Sequence, residues 1–261
     1  MPEEEVIGRK IFFLYPHTII KEIIQDIVRQ EYEAYILEDH LTALKILAKY
    51  RDSILFINID EILKEEEWHK YVASLLADPL TKDTQIGILT YYDRSREVVE
   101  KYLLDLRIEC GFVRIKMAPE KCLEILLKTL EANEAKGRRK YVRALCNEKL
   151  DLFNIIWKNN RFQGCLVDLS MVGMACFFND AFLKLAPGTL ITNIQLVLRG
   201  SSCILTGVVM KEIPQPGGRV LYIIMFERKG IKLEIEQKIH NFIFHRLQET
   251  IKSEVEMLDK K

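Results

Sequence analysis

Two short clusters of polar residues carry the chemistry of this chain. "GRRKYVR", residues 137–143, holds three arginines and a lysine in seven positions, and Arg139 and Arg143 within it form R-x-x-x-R, with Arg138 just ahead. "DLSMVG", residues 168–173, sets Asp168, Ser170 and Gly173 in the pattern D-x-S-x-x-G. A guanidinium is a planar fork of donors that suits phosphate oxygens and the O6/N7 edge of guanine, and it stacks on aromatic faces. A carboxylate accepts from the N–H groups on guanine's other edge, and a hydroxyl serves either edge or a phosphate. Glycine lets a backbone approach closely or take unusual dihedrals. One ligand carrying both guanine and phosphate would use every part. Singly, each cluster has a plainer reading: a charge run is usually a solvated linker, and Asp and Ser are good turn residues. Their order and spacing together favour ligand binding.

Both clusters need a scaffold that brings them together. From about residue 143 the sequence reads as short strands at 150–157, 162–167, 174–178, 190–198, 203–210 and 220–226. The turn signals "KNNR", "RGSS" and "PQPGGR" separate them, which predicts an antiparallel barrel or sandwich. The 25 residues from Arg143 to Asp168 leave room for one hairpin, so both motifs can return to one end of the barrel. From about Leu233 to Leu258 an apolar stripe (Ile235, Ile239, Phe242, Leu247, Ile251, Val255, Leu258) keeps helical spacing. Its first half is expected to lie on the barrel, and its distal part to meet another subunit, giving a homodimer, or the first domain.

The paired motifs resemble the PilZ domain, the bacterial receptor family for cyclic di-GMP, over roughly residues 137–228. The likeness extends to the "PGT" turn at 187–189 and the strand "LYIIMFER". The resemblance implies a six-stranded β-barrel in which Arg139 and Arg143 hold phosphate and stack on guanine, while Asp168, Ser170 and Gly173 recognise the other guanine. It also implies that Arg138, just before the motif, accompanies binding of an intercalated ligand dimer. Cyclic di-GMP would be a ligand, with no cofactor.

The first half alternates continuous apolar runs ("KIFFLY", "AYIL", "ILFINI", "QIGILT", "FVRIK") with five amphipathic stripes. Thr18 and Asp39 are candidate caps, and Pro119 opens the fifth stripe. Such alternation predicts a parallel sheet covered on both faces. Over residues 9–133 the pattern resembles the receiver domain of bacterial response regulators, a flavodoxin-like doubly wound fold. Receivers hold Mg²⁺ with an acidic pair after the first strand and accept a phosphoryl group on an aspartate ending the third. Here those positions carry Tyr15, Pro16 and Asn58; Asp60 follows two residues later, while Thr90 and Lys116 match the hydroxyl and the lysine. A hard Mg²⁺ needs oxygen ligands beside the acceptor, so a pseudo-receiver is expected, serving to bind a protein partner or to dimerise.

Composition bounds the remaining possibilities. The 261 residues suit two domains, read as 1–135 and 136–261. Lys+Arg and Asp+Glu both number 38, so no global field attracts nucleic acid, and no nucleic-acid partner is expected. The six cysteines lack C-x-x-C, the five histidines show no metal-ligand spacing, and no metal site is expected. Neither a Walker sequence, nor G-x-G-x-x-G, nor G-x-S-x-G occurs, which favours a non-enzyme. No apolar run has the length of a membrane span, and the opening "MPEEEVIGRK" lacks a signal-peptide layout, so a cytoplasmic protein is expected. The runner-up readings are a PilZ-fold protein–protein adaptor that binds no nucleotide, and a phosphorelay response regulator with a PilZ output, in which Asp60 or another carboxylate replaces Asn58. The motifs do not specify whether the output is motility, adhesion, polymer secretion or virulence.

Overall fold

The structure, a computed structural model, describes residues 8–137, 139–180, 182–229 and 231–259. The chain divides into two compact units, one made of the residues up to Lys140 together with those from Ile251, the other of Tyr141–Thr250.

In the first unit the apolar runs become β1 (Lys10–Leu14), β2 (Ala34–Leu37), β3 (Ser53–Asn58), β4 (Gln85–Thr90) and β5 (Phe112–Arg114). The stripes become α1 (Thr18–Arg29), α2 (His40–Lys49), α3 (Glu65–Ala77), α4 (Arg96–Glu100) and α5 (Pro119–Ala132). The strands are parallel in the order β2-β1-β3-β4-β5, the flavodoxin-like arrangement expected. All six residues of β3 are buried, because a central parallel strand has helices over both faces.

Two local expectations need correcting. The cap of α1 is His17, whose Nδ1 accepts from the Ile19 N–H, and not Thr18. Asp39 caps α2 as expected, and the inward face of that helix carries Ala43, Ile46 and Leu47 while Leu41 is 63% exposed. The fourth stripe is a short α4 that continues as one π-helical turn, Lys101–Asp105, which buries Tyr102. The final turns of the chain also belong to this unit: Tyr50 donates to both oxygens of Glu254 (2.9 and 2.8 Å), and Lys49 pairs with the same carboxylate at 2.9 Å.

The second unit contains β6 (Ala144–Leu145), β7 (Leu152–Trp157), β8 (Asn160–Ser170), β9 (Gly173–Phe178), β10 (Leu190–Leu198), β11 (Ser201–Pro214) and β12 (Val220–Phe226). All pairings are antiparallel. Because β8 pairs with both β7 and β9, the order β8-β7-β10-β11-β12-β9 closes into a six-stranded barrel. Phe153, Ile155, Leu166, Leu169, Ile194, Leu196, Val209 and Ile224 fill it with no exposed surface. The β7–β8 turn places Lys158 and Asn159 at φ 49° and 61°, positive at both centres as a tight hairpin of this hand requires. Trp157 is half-buried at that turn with the Lys158 ammonium 6.0 Å over its ring.

The long helix α6 (Leu233–Asp259) follows, with Ile239, Phe242, Ile243 and Leu247 buried. Arg246 fixes it by donating to the Leu145 carbonyl (3.1 Å) and pairing with Asp151 (3.4 Å) and Glu249 (2.6 Å). Among the described residues no helix is long and apolar enough to cross a membrane.

Candidate functional site

The short strand β6, which sequence periodicity did not reveal, joins the two motifs. Ala144 pairs with Leu169 and Leu145 with Asp168, so Arg143 enters the sheet beside the D-x-S end of β8. Its Nη1 stands 4.0 Å from Asp168 Oδ2, with the Arg143 side chain 51% and the Asp168 side chain 21% exposed. That separation is an ion pair without a hydrogen bond, and at such exposure it adds little to stability. The geometry keeps a guanidinium and a carboxylate side by side at the barrel surface.

Strand β8 does not stop at Val167 as expected; it runs through Asp168 to Ser170. Its pairing with β9 shifts register between Leu166 and Asp168. This bulge lets Leu166 and Leu169, three apart, both point into the core, and it turns Asp168 out between them. Ser170 then pairs with Gly173 across a two-residue connection. The Ser170 hydroxyl donates to the Gly173 carbonyl (3.1 Å) and accepts from the Val172 N–H (3.4 Å), and the residue is 4% exposed. Here the serine holds the turn that carries the aspartate.

Gly173 is required for a different close approach from the one its motif suggests. A Cβ there would lie 2.5 Å from the Ile224 carbonyl oxygen and 3.2 Å from Met225 Cα, because the β12 backbone presses against it. Gly173→Ala is therefore expected to destabilise the ligand-free protein by about 1–3 kcal/mol, as overpacking does. Thermal unfolding without ligand checks this; an unchanged midpoint would mean that β12 yields freely. Arg139 is an exposed residue near the end of the first unit, and Arg138 lies outside the described residues.

At the receiver-like position, Tyr15 follows β1 at φ 50° and Asn58 ends β3 fully buried. Asn58 Nδ2 donates to the Tyr15 carbonyl (2.9 Å), while its Oδ1 accepts from the Asp60 N–H (3.2 Å). Asp60 Oδ1 accepts from Thr90 Oγ1 (2.6 Å) and Arg94 Nη2 (2.8 Å), and Oδ2 accepts from the Tyr91 N–H. Tyr91 stacks on His17 at 5.2 Å, with the Lys116 ammonium 5.6 Å from its ring. Asn58, Asp60 and Thr90 thus come together with their polar atoms engaged by one another and by neighbouring groups, and the stacked rings of His17 and Tyr91 belong to the same strand ends. Among the described residues there is no cluster of three His, Cys, Asp or Glu side chains that could hold a metal ion. All six cysteines are unpaired thiols, and burial pushes the pKa of Cys122 and Cys203 up to about 11.

No family model and no curated protein matches the sequence. Solved structures do. The chain is similar to the PilZ domain of YcgR from Escherichia coli, solved with c-di-GMP, at 17% identity and a TM-score of 0.37, over 48% of this chain and 99% of that one. It is similar to the K. pneumonia MrkH–c-di-GMP complex at 16% identity and a TM-score of 0.40, over 46% and 57% of the two chains. A third likeness is to the Bacillus subtilis inhibitor of motility, at 17% identity and a TM-score of 0.34, over 42% and 50%. The chain thus spans only about half of the two longer proteins.

Proposed function

We propose that this protein is a cyclic di-GMP receptor, built from a receiver-like module and a PilZ barrel, the second lying in the unit Tyr141–Thr250 and not over the whole of 136–261, that acts on a protein partner rather than as an enzyme. One observation carries the reading: β6 brings the second arginine of R-x-x-x-R to 4.0 Å from the aspartate of D-x-S-x-x-G. Arg139 and Arg143 take phosphate and the face of one guanine, and Asp168 accepts from the N–H edge of another. Ser170 and Gly173 act on the ligand through the turn they form. Arg138 completes the grip if two intercalated ligands bind.

Ligand contacts to Arg139 and Arg143 order the segment that joins the two units and so re-aim the receiver-like module. A ligand shifts such an equilibrium only by its different affinity for the two arrangements. Titration calorimetry with cyclic di-GMP tests the receptor and gives the stoichiometry. Small-angle scattering with and without saturating ligand tests the re-aiming; identical profiles would remove it. The engagement of the Ser170 hydroxyl inside its own turn favours a second reading, an adaptor without nucleotide, which is what an absence of binding heat would leave.

A further inference from the structure

We propose that Arg228 is a third guanidinium of the ligand site, held ready by Tyr141; the inference rests on the receptor reading above. Three chain segments meet near the D-x-S-x-x-G turn in the second unit. Strand β12 is tied to the turn where the Phe226 N–H donates to the Val172 carbonyl at 2.8 Å. Arg228 lies two residues further on and is exposed. Its Nη1 donates to the Tyr141 hydroxyl at 2.9 Å, and its guanidinium carbon stands 5.7 Å from the centre of the Tyr141 ring. Tyr141 is itself two residues before Arg143. The end of β12 is thereby anchored to the arginine-bearing segment, beside the turn that carries Asp168 and Ser170.

The character of this contact separates Arg228 from its neighbours. Arg199, Arg219 and Arg246 each pair with a carboxylate, which neutralises their charge. Arg228 has no carboxylate partner among the described residues and is positioned by a neutral hydroxyl and an aromatic face. A guanidinium oriented without being neutralised keeps its remaining donors and its full charge for an anion. A planar guanidinium is also a surface of the kind a purine covers. The chemistry fits a phosphate oxygen or a guanine of the same ligand that Arg143 contacts.

The test is titration calorimetry with cyclic di-GMP on the full chain at low and moderate salt, for the wild type, Arg228→Met, Tyr141→Phe and Arg143→Ala. Arg228→Met is expected to weaken binding by about 10-fold or more, the scale of one charged hydrogen bond, and to make affinity less salt-dependent. The side chain is exposed, so the ligand-free unfolding midpoint should not move. Tyr141→Phe keeps the ring but frees the guanidinium, and should weaken binding by a smaller factor with the salt dependence retained. If Arg228→Met binds within a factor of two of wild type while Arg143→Ala is weakened by about 100-fold, this inference is overturned and the receptor stands. If the wild type itself shows no binding, both fall.

Discussion

Arg143→Ala is expected to weaken cyclic di-GMP binding by about 100-fold, the loss of two charge-assisted hydrogen bonds at roughly 1.5 kcal/mol each. The fold should be indifferent to the change. Arg143 is half-exposed, and its carboxylate neighbour stands at 4.0 Å, too far to stabilise the protein by much. Calorimetry and thermal unfolding on the same samples check both halves of the expectation. Lost binding with an unmoved midpoint assigns the residue to the ligand. Undiminished binding would remove Arg143 from the ligand site. A parallel Asp168→Ala separates the roles, since removing the acceptor for guanine N–H groups should cost affinity while leaving the salt dependence that phosphate contacts create.

Asn58→Asp restores the residue that a receiver would carry, yet it should damage the protein instead of activating it. The Asn58 amide donates to the Tyr15 carbonyl from a fully buried position. A carboxylate there cannot donate, so a charge would face a carbonyl oxygen, with the Asp60 carboxylate two residues away. We expect a loss of about 1–3 kcal/mol at neutral pH, the cost of a buried polar group deprived of its partner. The sign with pH follows from protonation. Burial against an acceptor raises the folded pKa of the new carboxyl above its unfolded value of about 3.9. The protonated form can donate to Tyr15, so the deficit against wild type is smallest near pH 4 and opens as pH rises through the folded pKa. Unfolding midpoints of both proteins at pH 4.5 and pH 8 measure it; a pH-independent gap would mean that Asn58 does not donate. Acetyl phosphate with Mg²⁺ should label neither protein, because Tyr15 and Pro16 supply no carboxylate to hold the Mg²⁺ beside residue 58, and both oxygens of Asp60 already accept from Thr90, Tyr91 and Arg94.

Much of the architecture is legible because periodicity is a local signal. Continuous apolar runs gave the parallel strands, and the tight turns gave the hairpins, without reference to distant residues. What periodicity misses is set by contacts across the sequence. Strand β6 is two residues long and exists only through its pairing with β8, so no window of sequence marks it. The bulge after Leu166 reverses which residues of β8 face inward, and the strand therefore continues through Asp168 where alternation suggested an end. Gly173 was recognised as a motif residue, but its need for space arises from β12, some fifty residues on. Helix α2 turns Ala43, Ile46 and Leu47 inward and leaves the equally apolar Leu41 exposed, a choice that residue type alone does not mark. Arg246 gave no sign of its role, since Leu145 and Asp151 lie about a hundred residues earlier.

That last contact has a consequence for how the protein could be controlled. Arg246 grips the carbonyl of Leu145, the residue paired with Asp168, from a position on α6. Strand and helix are thus two handles on one small joint. Free energies of linked events are reciprocal: if occupation of the site tightens the hold on α6, then whatever seizes α6 must change the affinity for the ligand by the same factor. A protein that docks on this helix would not merely receive the signal. It would set the concentration of messenger at which the signal is given.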